Sequence, residues 1–163
     1  MSSKQIHTIA PIYNIDSKVL ILGSFPSPIS REVGFFYGHP QNRFWNVLAA
    51  VFSDSKILIN PLNIEAKKQF LIRNRIAIWD VLASCEITGA SDSSIINPVP
   101  NELSIITDSC EIRAVFTTGN VASKLYRKFF DNNNIPLPSP SAANAAVSEK
   151  ELIRSYAIIK KYL

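Results

Sequence analysis

Short apolar runs alternate with amphipathic stretches along the 163 residues. Lys18-Val-Leu-Ile-Leu-Gly23 is apolar on both faces of an extended chain and stops at a glycine. Ile76-Ala-Ile-Trp-Asp-Val81 and Ala114-Val-Phe-Thr-Thr118 repeat that pattern. Continuous apolar runs of this length predict strands buried on both faces. Ile135-Pro-Leu-Pro138 is short, and its prolines place it at a sheet edge. Between these runs the apolar spacing becomes helical. Phe44, Val47, Leu48 and Val51 share one face of a helix that runs to about Phe52. Asn63 caps a helix to about Arg75, and Asn101 caps another through about Ser109. Gly119 turns the third strand into a helix with Val121, Leu125 and Phe129 on one face. Ser148 and Glu151 form a capping box before a final helix that carries Leu152, Tyr156, Ile159 and Leu163.

Strands that alternate with helices predict an α/β fold on a mostly parallel sheet, with residues 1–163 forming one domain. Ligands of such sheets bind beyond the carboxyl ends of the strands. Four polar segments follow strand ends and are expected to converge there. They are Gly23 to Ser27, Asp80 to about Ser94, Thr117 to Asn120, and Pro138 to Asn144. The chain shows no internal repeat, linker or low-complexity tract.

Charge adds a partner class. The formal net charge of +4 suits a polyanion, and the absence of a lysine-rich block implies a shaped surface rather than a basic tail. No apolar run approaches the length of a membrane span, and the N-terminal residues lack a signal-peptide core. The expectation is a soluble, cytoplasmic monomer with no membrane partner, acting at the nucleoid. Cys85 and Cys110 are far apart and form no Cys/His ligand spacing, so neither a metal nor another cofactor is expected.

Three segments carry candidate chemistry. Gly38-His-Pro-Gln-Asn-Arg-Phe-Trp45 holds a turn glycine, two amides, an arginine and two large aromatics, too polar for a core strand and too aromatic for an ordinary surface loop. Gly23-Ser-Phe-Pro-Ser27 follows a strand but matches neither GxGxxG nor GxxxxGK[ST], and Phe25 and Pro26 would obstruct a pyrophosphate. Pro138-Ser-Pro-Ser-Ala-Ala-Asn144 is stiffened by two prolines. It is either a rigid surface turn or a phosphate-contacting loop whose serines and small side chains admit a duplex backbone.

In order, GSFPS, FFYGHPQNRFW, IAIWDVLASCEITGASDS, TTGN and LPSPSAANA resemble the motifs of the uracil-DNA glycosylase superfamily. In detail they are similar to its hypoxanthine-DNA glycosylase branch. The resemblance runs from about Ile9 to the C-terminus. It implies a three-layer α/β/α sandwich on a four-stranded, mostly parallel sheet. It also implies a monofunctional enzyme of base excision repair that flips hypoxanthine out of DNA and hydrolyses its N-glycosidic bond. Two departures stand out. Several branches carry a catalytic Asn or Asp where this chain has Phe25, and the uracil-specific branch has a histidine where it has Leu137. The hypoxanthine branch is similarly altered and is taken to use the amide of its HPQN motif, which is Asn42 here. Uracil, xanthine or a mismatched pyrimidine are alternative substrates. A non-catalytic DNA or nucleotide binder is the alternative of another class.

The resemblance places Tyr37 where the extruded base stacks, with Phe25 and Phe36 as neighbouring alternatives. Backbone amides near Gly23, Ser24 and Phe25 would hold the base carbonyl, and Gly38 and His39 complete the base site. An amide at Asn42 can orient water through its carbonyl and donate through its NH₂. Ser27, Arg43, Ser139, Ser141, Ala142 and Asn144 would meet DNA, with Ala142, Ala143 and Asn144 as candidates to fill the vacated stack. Arg43 can instead brace its loop, as can His39. Asp80 either braces a loop or activates water, and the Ser91-Asp92-Ser93-Ser94 cluster is expected to help line the pocket.

Overall fold

The computed structural model describes residues 2–58, 60 and 63–163. Its central sheet is built from the four apolar runs. β2 (Val19–Gly23; β1 is described below), β3 (Ile76–Asp80), β6 (Ala114–Thr118) and β7 (Ile135–Leu137) lie in the order β3-β2-β6-β7, all parallel. Every residue of β2 and β3 is buried, which is why neither shows an apolar–polar alternation. Pro136 is tolerated because β7 is an edge strand. The chain enters at β2 and winds both ways, to β3 on one side and to β6 and β7 on the other. The order therefore reverses between β2 and β6, and the carboxyl ends Gly23 and Thr118 flank that switch point.

Helices connect and cover this sheet in a mixed α/β arrangement. α1 (Pro28–Val33) begins at Ser27, whose hydroxyl accepts from Ser30 N, with proline in its first turn. α2 (Phe44–Val51) buries Phe44, Trp45, Val47, Leu48, Ala49 and Val51. α3 (Ile64–Arg73) is capped by the Asn63 side chain. α5 (Asn120–Phe129; α4 is described below) starts at Gly119, whose φ of 102° excludes most other residues. α6 (Glu149–Tyr156) has the expected Ser148–Glu151 capping box and continues as a 3₁₀ turn through Tyr162.

A second sheet has no counterpart in the sequence reading. β1 (Ser3–Ile6), β4 (Leu82–Ile87) and β5 (Ile96–Pro100) pair antiparallel in the order β1-β4-β5. The segment from Asp80 to Ser94, expected to be a polar loop, is therefore half strand, and only its end forms a 3₁₀ turn at Asp92–Ser94. At Val81 the chain passes directly from the parallel sheet into the antiparallel one. Asn101 holds that corner. Its buried amide donates to the carbonyls of Asp80 (2.9 Å) and Leu82 (3.0 Å). Asn101 is thus not a helix cap. The helix beyond it, α4 (Ser104–Thr107), is a single turn that follows Leu103. A polar side chain can be buried there because it satisfies two backbone groups that the change of sheet leaves open.

Tyr156 closes the far side. It is fully buried, sits edge-on to Phe44 and donates to the Pro138 carbonyl at 2.8 Å. Tyr156→Phe keeps the ring and removes only this bond. Urea unfolding should show a loss of about 1 kcal/mol with an unchanged denaturant slope, since the buried surface is the same.

Candidate active site

A cavity of about 170 Å³ lies at the switch point. It is smaller than pockets for drug-sized ligands, which run from roughly 300 Å³ upward. Three of the four expected segments line it with Gly23 to Ser27, Thr118, and Ser139 to Ser141. Asp80, Ile87, Ala90 and Asp92 come from the fourth. Tyr37, His39 and Asn42 enter from the GHPQNRFW stretch, with Phe36 just before it.

Phe44 places Tyr37. The two rings stack at 3.8 Å between centroids, 14° from parallel, and the Tyr37 hydroxyl shares a 2.8 Å hydrogen bond with Thr118 Oγ1. One ring face is thereby covered, and Tyr37 itself lines the cavity. The turn has its left-handed residue at Tyr37 (φ 51°) and not at Gly38 as the sequence implied. Such a conformation costs on the order of 1–3 kcal/mol and is held by its surroundings. Gly38 N donates to Ser30 Oγ (2.9 Å), and the Trp45 indole donates to the Phe36 carbonyl (3.0 Å). Phe25 and Phe36 are buried against the His7 ring, so Tyr37 is the better-placed platform. Burial pushes the Tyr37 hydroxyl far up, reinforced by the charge of Asp80, so it remains a phenol.

Asn42 has its orientation fixed by helix α2. Its Oδ1 accepts from Phe44 N at 2.9 Å, and its own N–H donates to the His39 carbonyl at 2.9 Å. One of the two acceptor sites of the carbonyl expected to orient water is therefore used by the helix start. Its second lone pair and the NH₂ donor remain.

Arg43 does not point outward to a phosphate. Its guanidinium donates to the carbonyls of Pro140 (3.4 Å), Ser141 (3.0 Å), Asn144 (3.0 Å) and Val147, and its backbone N–H also donates to Pro140 O (3.0 Å). Of its two expected roles, bracing is the one the hydrogen bonds support. The loop it holds also ties itself together. Ser139 Oγ accepts from Ser141 N, Ser141 Oγ accepts from Ala143 N, and Asn144 Nδ2 donates to the Ser139 carbonyl. Ala142 and Ala143 are left exposed at its tip. Ser27 spends its hydroxyl lone pair on the cap of α1. His39 is exposed, with Nδ1 accepting from Gln41 N.

Sequence reasoning missed two acid-bearing pairs. His7 Nε2 lies 2.8 Å from Asp80 Oδ2, and Ile9 N donates to His7 Nδ1 at 3.1 Å. The amide fixes the tautomer, because an accepting Nδ1 leaves the proton on Nε2, which donates to Asp80. Asp80 is only 4% exposed. Gly23 gives it room, since a Cβ there would meet Asp80 Oδ1 at 2.5 Å and the Tyr37 hydroxyl at 3.2 Å. In the second pair, Ser24 Oγ donates to Asp92 Oδ2 at 2.8 Å. His7 had no local signal, since it lies in a terminal stretch with no apolar period. Asp92 lines the cavity, as expected of the Ser91-Asp92-Ser93-Ser94 cluster, but its pairing with Ser24 could not be read from the sequence. Among the described residues, no three His, Cys, Asp or Glu side chains gather as a metal would require, and Cys85 and Cys110 are buried thiols.

With this geometry in hand, comparisons with known proteins fix the family. The model of the uracil DNA glycosylase superfamily matches residues 10–160. A hypoxanthine DNA glycosylase of Methanosarcina acetivorans is 30% identical over 138 residues, 82% of this chain and 85% of its own length. Another from Methanosarcina barkeri is 32% identical over 98 residues, and that alignment spans 60% of either chain. The solution NMR structure of a Methanosarcina acetivorans protein, described as a candidate uracil DNA glycosylase, superposes with a TM-score of 0.70 at 27% identity, covering 94% of this chain and 98% of that one. The chain belongs to the uracil DNA glycosylase superfamily, and its class is that of a DNA glycosylase. No helix among the described residues is long and apolar enough to cross a membrane.

Burial pushes the Asp92 carboxyl above its ordinary range. The Ser24 hydroxyl pulls it partly back, and the charge of Asp80 raises it further. A carboxyl raised in the folded state contributes stability that is complete at acid pH and is lost as pH rises through the raised value. Asp92→Asn cannot ionise. It should therefore melt above the wild type at neutral pH, with the advantage disappearing on acidification, as followed by calorimetry.

Proposed function

We propose that this DNA glycosylase removes hypoxanthine from deoxyinosine in DNA. The observation that carries the reading is the cavity in which Tyr37 offers an aromatic face and Asn42 a fixed NH₂ donor, in a chain similar to two hypoxanthine DNA glycosylases. A base inside a duplex is unreachable, so the nucleotide must swing out before it can enter. In the pocket the base stacks on Tyr37. Phe25 and Leu137, where other branches place polar catalytic side chains, are apolar and buried, and of the two only Phe25 lines the cavity. As the glycosidic bond lengthens, the sugar becomes cationic and the base anionic. The Asn42 NH₂ stabilises the departing base or the sugar oxygen without moving a proton, since an amide has no useful pKa. The loop at 138–144, held rigid by Arg43, seats the duplex backbone.

Duplexes with a single deoxyinosine, deoxyuridine or deoxyxanthosine, treated with alkali after incubation, test the reading. Deoxyinosine should be converted to an abasic site, in EDTA as well as without it. Release of only uracil or xanthine would shift the substrate, and binding without release would make the protein a non-catalytic binder. Asn42→Ala should lower single-turnover release by roughly 10²–10³ while lesion binding is largely kept. Asn42→Asp, which can still cap α2 but cannot donate, should show a similar loss. Near wild-type release by either variant would remove Asn42 from the chemistry.

Affinity should also fall steeply with salt, because each phosphate neutralised by the basic chain releases counterions. Fluorescence anisotropy across a salt series reads this directly. A flat response would exclude duplex DNA as the main partner.

A further inference from the structure

The cavity holds two carboxyl groups with different surroundings. Asp80 receives the Nε2–H of His7 on Oδ2, while its Oδ1 stands beside the Cα of Gly23 with no hydrogen bond of its own among the described residues. Asp92 receives only the Ser24 hydroxyl on Oδ2, and its Oδ1 is likewise unpartnered. Neither Oδ1 is a sealed buried atom, and both residues line the cavity. A departing purine carries its bonding electron pair away, and two ionised carboxylates around it would oppose that. One of the pair must be neutral for the site to favour departure.

We propose, resting on the hypoxanthine reading above, that Asp92 is the general acid of the reaction and Asp80 the carboxylate that receives the water proton. As the C1′–N9 bond breaks, its electron pair goes to the base, and the Asp92 carboxyl passes its proton to a ring nitrogen of the purine. Water forms the new bond to C1′ and gives one proton to Asp80. Free hypoxanthine leaves neutral, the sugar is left hydroxylated, and exchange with solvent returns the proton from Asp80 to Asp92.

The two environments divide the roles. Burial and the neighbouring charge of Asp80 both favour the protonated form of Asp92. The groups that face it are Ser24 beyond β2, Asp80 with His7 behind it, Tyr37 before α2 and Cys85 on β4. Tyr37 is held as a phenol and the Cys85 thiol is also raised, so neither supplies a competing charge. Arg31, whose charge acts on Cys85, lies over the Phe25 ring at 5.5 Å. A bound base that expels water would raise Asp92 further.

The test is single-turnover release of hypoxanthine as a function of pH by the full chain and three variants. The wild type should lose activity as pH rises through a value above the ordinary carboxylate range. Asp92→Asn should fall by roughly 10²–10⁴, the usual scale of a general acid, and should lose this alkaline limb. Ser24→Ala removes the one interaction that lowers the Asp92 carboxyl, so its limb should move to higher pH. Asp80→Asn removes a charge that raises it, so its limb should move to lower pH on a reduced rate. A residue with only a structural role would move neither limb. An Asp92→Asn variant that keeps the wild-type limb, or stays within a few-fold of wild type, overturns the proposal. If that variant does not fold, an unmoved limb in Ser24→Ala overturns it instead. Failure of the wild type to release hypoxanthine at any pH sinks the substrate reading together with this one, whereas release with unmoved limbs sinks the acid role alone.

Discussion

One guanidinium organises the site. Arg43 is the last residue before α2, and its donors reach four carbonyls of a loop about one hundred residues away in sequence. A delocalised cation with five planar donors suits this task, and lysine would satisfy only part of it. The contact joins the segment that carries Tyr37 and Asn42 to the segment expected to meet the duplex. The stack of Phe44 on Tyr37, the cap that Asn42 places on α2 and the anchoring of Pro138 by Tyr156 all assume that junction. Loosening it would therefore free both of these segments of the cavity lining together.

Around that frame, the cavity lining combines a fixed dipole with titratable groups. Asn42 cannot change charge, and its orientation is enforced by a helix that begins two residues later. Asp80 and Asp92 are held by partners that differ in kind, an imidazole N–H and a hydroxyl. The absence of a side chain at Gly23 lets a carboxylate and a phenol approach the same strand end. Preorganisation of this sort places the cost of burying polar groups in the folding of the protein and not in the reaction step.

How much of this was legible in the sequence depends on how local each signal is. β2, β3, β6 and β7 were legible because parallel strands buried on both faces leave continuous apolar runs. β1, β4 and β5 were not. β5 reads Ile-Asn-Pro-Val-Pro and is largely exposed, and β4 follows β3 after one residue, so their pairing rests on partners elsewhere. Asn101 looked like a helix cap because its true use, bridging two carbonyls at the change of sheet, requires that change to be known. In the site, Tyr37 and Asn42 sit in a compact motif and could be named from it. His7 could not, and of Asp92 only its place in the lining could, since the partner of each is a residue far along the chain. For Arg43 the sequence left two roles open, and the carbonyls within its reach favour one of them.

The place of His7, directly after the first strand, has a consequence for how the molecule matures. β1 pairs with β4, and the His7–Asp80 contact closes across 73 positions. The central sheet also places β2 beside β6, so one side of the switch point is missing until residues 114–118 have been made. Contacts of such long sequence separation form slowly, because chain closure is entropically unfavourable until the partners are present. A nascent chain that has exposed its first strand must hold it unpaired until residues 82–87 have emerged. The His7–Asp80 pair can thus close only once β3 and β4 have emerged. A chain shortened at its beginning could still collapse around β2, β3 and β6 yet lack the imidazole behind Asp80, and would be compact without being competent.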